Sequence, residues 1–240
     1  MAYQYRSNGQ LPDVKALIRP ISLQGLNQHI STQVTLKQSL IDWEGRVTAV
    51  IFTQGCNFRC GYCHNPSLVL PELFSQNQKW TETELFSFLS KRQQWLDGIV
   101  ISGGEPTLQP DLLPFIREIK RLGFAIKLDT NGTHPVLLRE LITGNWIDAV
   151  AMDIKSALTL TAYRKISPNM TSGLLEKIQE SIRTIRASGI EYLFRTTVIP
   201  GLQTEEELAA IKEEFKKDPF LLQEFRNGDI LKNYSLQLDS

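Results

Sequence analysis

Short runs of β-branched and apolar residues alternate along this chain with stretches of helical periodicity, the pattern of parallel βα units. About six units can be counted. The candidate strands are Thr48 to Thr53, Gly98 to Ser102, Phe124 to Asp129, Ala149 to Ile154, Tyr192 to Val198 and Phe220 to Phe225. Thr81 and Glu84 have the spacing of a capping box, and Leu85 and Leu89 share a face of the helix that follows. Leu112, Phe115, Ile116, Ile119 and Leu122 recur with helical period, and Gly123 supplies the stop. Leu174, Ile178, Ile182 and Ile185 make another stripe, ending before Gly189. Thr204 and Glu207 repeat the capping box ahead of Leu208, Ile211 and Phe215. Right-handed crossovers applied repeatedly curl such a sheet toward a barrel, and six units leave it incomplete beside the eight of a closed one. The predicted fold class is therefore α/β, a partial (β/α)6 barrel of the TIM type, with a doubly wound open sheet as the alternative. Residues 1–38 have weak periodicity and are expected to form an N-terminal extension of unknown role, with the main domain over 39–240.

A chain of 240 residues with 42% hydrophobic and 22% charged residues has the composition of a globular domain with one sizeable core. Lys plus Arg equals Asp plus Glu at 26 each, so no global field draws the protein to nucleic acid or to an anionic membrane. Met1 to Ser7 has no basic patch leading into an apolar run, and no stretch approaches the roughly 18 apolar residues of a spanning helix. The expected location is the cytoplasm, with neither nucleic acid nor membrane as partner.

All three cysteines lie between Cys56 and Cys63. An odd number in one tight cluster cannot build a disulfide framework and points to a metal site in a reducing compartment. The run Gly55-Cys56-Asn57-Phe58-Arg59-Cys60-Gly61-Tyr62-Cys63-His64-Asn65-Pro66 follows the first predicted strand, at its carboxyl end, where α/β folds place their sites. CxxxCxxC spacing lets one short loop wrap three thiolates around a cubane, leaving one of four irons open. Other readings stand beside this one. Cys60 to His64 matches a c-type haem attachment pattern, which has no use for Cys56. Three cysteines with His64 would make a zinc shell, cramped by the adjacency of Cys63 and His64. Unligated buried thiols suit a loop with Gly55, Gly61 and Pro66 poorly.

The later predicted strands also end in polar residues: Gly103-Gly104-Glu105, Asp129-Thr130-Asn131-Gly132, and Asp153-Ile154-Lys155. Glycines admit close approach of a ligand to the backbone, and carbonyls with a carboxylate can accept from an amine. Alone, a Gly-Gly turn is only a tight turn, and Glu105 has a structural role as cap open to it. Polar ends on successive apolar strands suggest one shared pocket. Arg195, polar within the apolar strand Tyr192 to Val198, needs a buried partner.

CxxxCxxC with Tyr62 before the third cysteine resembles the signature of radical S-adenosylmethionine enzymes, over about Ser39 to the end of the chain. The resemblance implies a radical SAM barrel with a [4Fe-4S] cluster on Cys56, Cys60 and Cys63 as the catalytic centre and S-adenosylmethionine as cofactor. Tyr62 would lie near the adenine, and Gly103, Gly104 and Glu105 would receive the methionine ammonium. By the same likeness Asp129, Thr130, Asn131, Lys155 and Arg195 surround the cofactor. Lys155 would pair with its carboxylate, with a salt-bridged lysine as the alternative, and Asp129 and Asp153, with Thr130, are candidates for a monovalent cation.

His64-Asn65-Pro66, together with Ser39-Leu40-Ile41-Asp42-Trp43-Glu44-Gly45, is similar to the glycyl-radical enzyme activating enzymes, and most to those of anaerobic ribonucleoside-triphosphate reductase. Trp43 and Glu44 stand where that family usually has tyrosine and proline. Pyruvate formate-lyase activases have a histidine near the end of the last core strand, where Leu222-Gln223-Glu224-Phe225-Arg226 has none. With no further cysteines, one cluster is the limit. The implied partners are a glycyl-radical enzyme, with anaerobic ribonucleotide reductase foremost, and a flavodoxin- or ferredoxin-like electron donor. Two rival functions remain. A radical enzyme acting on a small molecule, such as a 7-carboxy-7-deazaguanine synthase-like reaction, shares these motifs; an iron-sulfur electron carrier would not need Gly103 to Glu105.

Overall fold

The computed structural model of the chain describes residues 32–77, 80–226, 228 and 230–231. They form a seven-stranded sheet in which every strand lies beside its predecessor in the chain. The strands are β1 (Thr32–Ser39), β2 (Thr48–Thr53), β3 (Gly98–Gly103), β4 (Ala125–Thr130), β5 (Ala149–Asp153), β6 (Glu191–Val198) and β7 (Phe220–Glu224). From β2 to β7 all pairs are parallel, and β1 runs antiparallel along the β2 edge. A doubly wound sheet reverses its strand order at a switch point, whereas an order that never reverses is that of a barrel wall. β1 and β7 are not joined to each other in that order, so the wall stays open. The six parallel strands make the partial (β/α)6 barrel expected from the sequence.

β1 begins upstream of residue 39, where the sequence pattern started the main domain. Its run TQVTLKQS has only Val34 and Leu36 as apolar members, because an edge strand lacks the double-sided burial that makes inner parallel strands read as continuous apolar runs. Residues 1–31 lie outside the described part of the chain.

The helices that matter for the site are α1 (Pro66–Val69), α2 (Glu82–Ser90), α3 (Leu112–Arg121), α4 (Pro135–Thr143), α5 (Leu160–Ile166), α6 (Ser172–Arg186) and α7 (Glu205–Glu214). Both predicted capping boxes form: Thr81 with Glu84 opens α2, and Thr204 with Glu207 opens α7. In α3 Leu112, Phe115, Ile116 and Ile119 are buried as their spacing requires. In α6 the stripe runs through Leu175, Ile178, Ile182 and Ile185, and Leu174 lies at its margin. These stripes pack on Ile51, Ile99, Ile101, Ile126, Leu128, Val150, Met152 and Phe194, the outward residues of the strands, in one continuous core.

The inward residues alternate with these, as a pleat demands. Val50, Val100 and Ala149 form a small second core, closed by Trp43 from the β1–β2 turn. Trp43 is buried, its Nε1 donates to Glu191 Oε1 at 2.7 Å, and the Arg46 guanidinium stacks 4.4 Å from its ring. Trp43, carried by the Ser39-Leu40-Ile41-Asp42-Trp43 segment, is thus a plug at the amino end of the barrel. Lys127, inside the barrel, donates to the Asp42 carbonyl and ties the plug to the wall. Among the described residues no helix is long and apolar enough to cross a membrane.

Candidate active site

Toward the carboxyl ends of the parallel strands the inward residues turn from apolar to charged and enclose a cavity of about 300 Å³. Every site residue expected from the sequence lines it: Cys56, Cys60, Tyr62, Cys63, Gly103, Gly104, Glu105, Asp129, Thr130, Asn131, Asp153, Lys155 and Arg195. Residues separated by up to 139 positions therefore share one wall, because parallel strands all deliver their next loop to the same end.

The cysteine loop is shaped by short-range bonds. Phe58 N–H points at Cys56 Sγ at 3.4 Å, Cys63 N donates to the Cys60 carbonyl at 2.9 Å, and Arg59 Nη1 donates to the Cys56 carbonyl at 2.7 Å. Residues from distant elements hold it in place. Asn57 Nδ2 donates to Thr133 Oγ1 and Asn57 Oδ1 accepts from Asn131 Nδ2, both at 2.8 Å. Asn169 Nδ2 donates to the Asn57 carbonyl at 2.6 Å, and Ser167 Oγ accepts from Arg59 N at 2.9 Å. The sequence pattern missed this hub, since Asn57 was only a spacer between ligands and its partners come from the loops after β4 and α5. The spacing of one loop carries no trace of what another loop donates.

The Gly-Gly edge has an internal reason. Gly103 has φ of 120° and a Cβ there would overlap the Thr53 backbone, while a Cβ on Gly104 would overlap the Gly55 carbonyl. Gly104 N donates to the Thr53 carbonyl at 2.9 Å and Glu105 N to the Gly55 carbonyl at 2.8 Å, so this edge is locked to the start of the cysteine loop. Glu105 is fully buried. Its carboxylate accepts from Thr107 N and Oγ1, from Thr130 Oγ1 at 2.6 Å, and from Asn131 N at 2.7 Å. Of the two roles open to Glu105, this geometry gives it the structural one: it caps the turn Pro106–Leu108 and joins it to the turn after β4.

The charged residues face one another. Arg195 lies 2.9 Å from Asp153 and 3.4 Å from Asp129, Lys155 Nζ is 2.9 Å from Asp153, and Lys127 Nζ is 3.4 Å from Asp129. Ser102 Oγ, also missed by the sequence pattern, donates to Asp129 at 3.2 Å. The two carboxylates considered for a monovalent cation thus face the chain's own Arg195, Lys155 and Lys127. Burial works to raise the Asp153 pKa, but Arg195 and Lys155 outweigh it and bring it from 3.8 to about 2. Burial likewise opposes the charge on Lys155, and Asp153 reverses this, holding the ammonium well above its ordinary pKa.

Burial pushes the Cys56 thiol up to about 12 and the Cys60 thiol to about 11, and raises Cys63 by the same cause. Such thiols are protonated at neutral pH unless a metal competes with the proton. The Tyr62 hydroxyl is buried on this wall with no hydrogen-bond partner among the described residues. His64, the fourth ligand of the zinc reading, lines the cavity, but its Nε2 is engaged 2.6 Å from the Arg226 carbonyl. Among the described residues no three His, Cys, Asp or Glu side chains converge on a point that could hold a single metal ion.

The sequence model of the radical SAM superfamily matches residues 50–214. This chain belongs to that superfamily. A protein of Methanocaldococcus jannaschii assigned by name to the glycyl-radical enzyme activating enzymes is 36% identical over 195 residues, covering 80% of this chain and 78% of its own length. A pyruvate formate-lyase-activating enzyme of Clostridium pasteurianum is 27% identical over 193 residues, covering 78% of this chain and 74% of its own. Within the radical SAM superfamily the chain is a member of the glycyl-radical enzyme activating enzymes. Among solved structures, anSMEcpe with bound AdoMet superposes with a TM-score of 0.54 at 18% identity, over 72% of this chain and 50% of its own. That likeness concerns the fold: the radical SAM partial barrel. The cofactors of this enzyme class are a [4Fe-4S] cluster and S-adenosylmethionine. Three thiols from one loop, an orphaned buried hydroxyl and an ionic rim around one cavity are a donor set that fits both.

Proposed function

We propose that this radical SAM enzyme cleaves S-adenosylmethionine reductively and generates a glycyl radical on a partner enzyme, with anaerobic ribonucleoside-triphosphate reductase as that partner. The observation that carries the reading is the convergence of the cysteine loop, the glycine edge and the Asp129–Asp153–Lys155–Arg195 rim on one cavity. Bound there, the cluster and S-adenosylmethionine supply a one-electron cleavage of a carbon–sulfur bond, yielding a radical able to take hydrogen from a glycine α-carbon.

The chain's own residues bind, orient and exclude water. Cys56, Cys60 and Cys63 would hold the cluster, and the partial burial of Cys56 and Cys63 with the full burial of Cys60 limits competing solvent. Lys155, paired with Asp153 and close enough to act electrostatically on Cys60 and Tyr62, is placed to meet the cofactor carboxylate. Tyr62, whose hydroxyl has no partner among the described residues, would meet the adenine, and the Gly103–Gly104 backbone would receive the methionine amine. Arg195 keeps Asp153 ionised and holds Asp129 and Asp153 in place. The open wall leaves room for a loop of the partner to reach the cavity. The choice of reductase over pyruvate formate-lyase is supported by β7, which presents Gln223 to the cavity where formate-lyase activases have a histidine nearby. The electron donor in this reading is a flavodoxin- or ferredoxin-like protein.

The test is anaerobic reconstitution with iron and sulfide, then reduction by dithionite with S-adenosylmethionine present. Release of 5′-deoxyadenosine is expected, and its absence from Cys60→Ala. Mixed with anaerobic ribonucleotide reductase, the reduced enzyme should give a glycyl radical by electron paramagnetic resonance. Cofactor cleavage without a radical on any reductase would remove the partner assignment, and zinc without iron would remove the cluster.

A further inference from the structure

We propose that Phe225, Arg226 and Leu231, which follow β7, form the outer wall of the cluster site and that His64 is the positioning residue that fastens it there. This rests on the reading that Cys56, Cys60 and Cys63 hold the cluster. His64, conspicuous in the sequence directly after the third cysteine, has no part in the chemistry above. Its ring stacks on Phe225, with centroids 5.2 Å apart and planes 26° from parallel. Its Nε2 lies 2.6 Å from the Arg226 carbonyl. A carbonyl only accepts, so this nitrogen carries the proton and donates.

Further on, Leu231 N donates to the Cys63 carbonyl at 2.9 Å. The Leu231 side chain is 3% exposed and packs with Val69 and Leu70, and Cys56 and Cys63 are packed against the same apolar group. The third cysteine's backbone, the side chain after it and the apolar flank of two cysteines are therefore all engaged by residues that follow the last strand. The barrel has no need of these contacts, because β7 is already paired to β6 from Phe220 to Glu224. What they do is cover one side of Cys56 and Cys63, which even with this cover lie nearer the surface than Cys60. Water, oxygen and chelators would reach a cluster from this side, and an apolar wall with its backbone bonded in place closes that approach.

The chain has no cysteine outside this loop, so alkylation of the metal-free protein by iodoacetamide reports on the site alone. Leu231→Ser should raise the rate at Cys56 and Cys63 roughly tenfold and change Cys60 less, the size expected when a buried leucine contact is lost and local opening becomes easier. Leu231→Ala, a milder change that keeps the fold if the serine variant loses it, should move the rate the same way. His64→Ala should do likewise, and His64→Gln, which can still donate to the Arg226 carbonyl, should recover part of the protection. In reconstituted protein the same variants should lose iron faster to a ferrous chelator and bleach faster in air. Unchanged alkylation and unchanged iron loss in variants whose circular dichroism matches the parent would overturn the wall. If the parent takes up no iron at all, the cluster reading falls, while the alkylation rates still decide whether the wall exists.

Discussion

The two faces of the barrel sheet are made by alternate residues of the same strands, yet they follow different rules. Outward, Ile51, Ile101, Leu128, Met152 and Phe194 are all fully buried and apolar, and the helices cover them along the whole strand. Inward, the composition changes with height. Val50, Val100 and Ala149 sit at the plugged end with Trp43, in register with Lys127; Asp129 stands above them, then Asp153 and Arg195, which are register partners across β5 and β6. The outer face stabilises by area and shape. The inner face places charges where each is held by another, which contributes little net stability and fixes geometry. The contrast implies that damage to the outer face should cost stability in proportion to volume, and damage to the inner face should cost function and pH tolerance first.

The largest effect should come from Asp153→Ala. It leaves Arg195 and Lys155 buried without the carboxylate they share, a loss on the order of 3–5 kcal/mol, and S-adenosylmethionine cleavage should vanish with it. Denaturant unfolding and a 5′-deoxyadenosine assay measure the two separately. Asp153→Asn should show the pH signature. The folded pKa lies below the unfolded one, at about 2 against 3.8, so the carboxylate's contribution is complete above about pH 4 and is lost as pH falls toward 2. The asparagine variant should lose that part of the acid limb. An identical acid profile in parent and variant would break the assignment. On the outer face Ile101→Ala should cost about 2–4 kcal/mol by leaving a cavity under the helices, with cofactor cleavage retained at low temperature. If activity fell as steeply as stability, the division between the faces would not hold.

The outer face was legible because helical and strand periods are written in neighbouring residues. Six parallel strands, both capping boxes and the α3 stripe follow from spacing alone. The residues converging on the cavity were legible for a topological reason, since each predicted strand ended in polar residues and parallel strands bring those ends together. What was not legible depends on partners far away in the chain. The motif around Glu105 does not tell that Thr107, Thr130 and Asn131 all donate to its carboxylate. The motifs around Asp129 and Asp153 do not tell that Lys127 and Arg195 stand beside them. Trp43 reads as part of a motif until Glu191 fixes it as a plug.

A smaller effect should follow from Asn57→Ala. The buried Asn131 Nδ2 would lose the Asn57 acceptor, at about 1–3 kcal/mol for a group left unsatisfied, while Thr133 keeps its bond to Asn131. Asn57 does not line the cavity. Its loss should therefore appear as slower cluster assembly and a changed cluster resonance rather than as loss of cofactor affinity. Thr133→Val should give a similar change, and the double variant should be less than additive if the two act through one bond.

The smallest effect should be that of Trp43→Phe at the plugged end. The substitution removes the bond to Glu191 and keeps most of the apolar area against Val50 and Val100. Glu191 is exposed and can rehydrate, so the net cost should be about 1 kcal/mol. Because Lys127 grips the Asp42 carbonyl on one side and faces Asp129 on the other, a plug that shifts would also move the charged layer above it. Unchanged 5′-deoxyadenosine release with a slightly lowered melting temperature would show that the plug serves stability alone. A fall in release larger than the stability change would show that the inner face is coupled from one end of the barrel to the other.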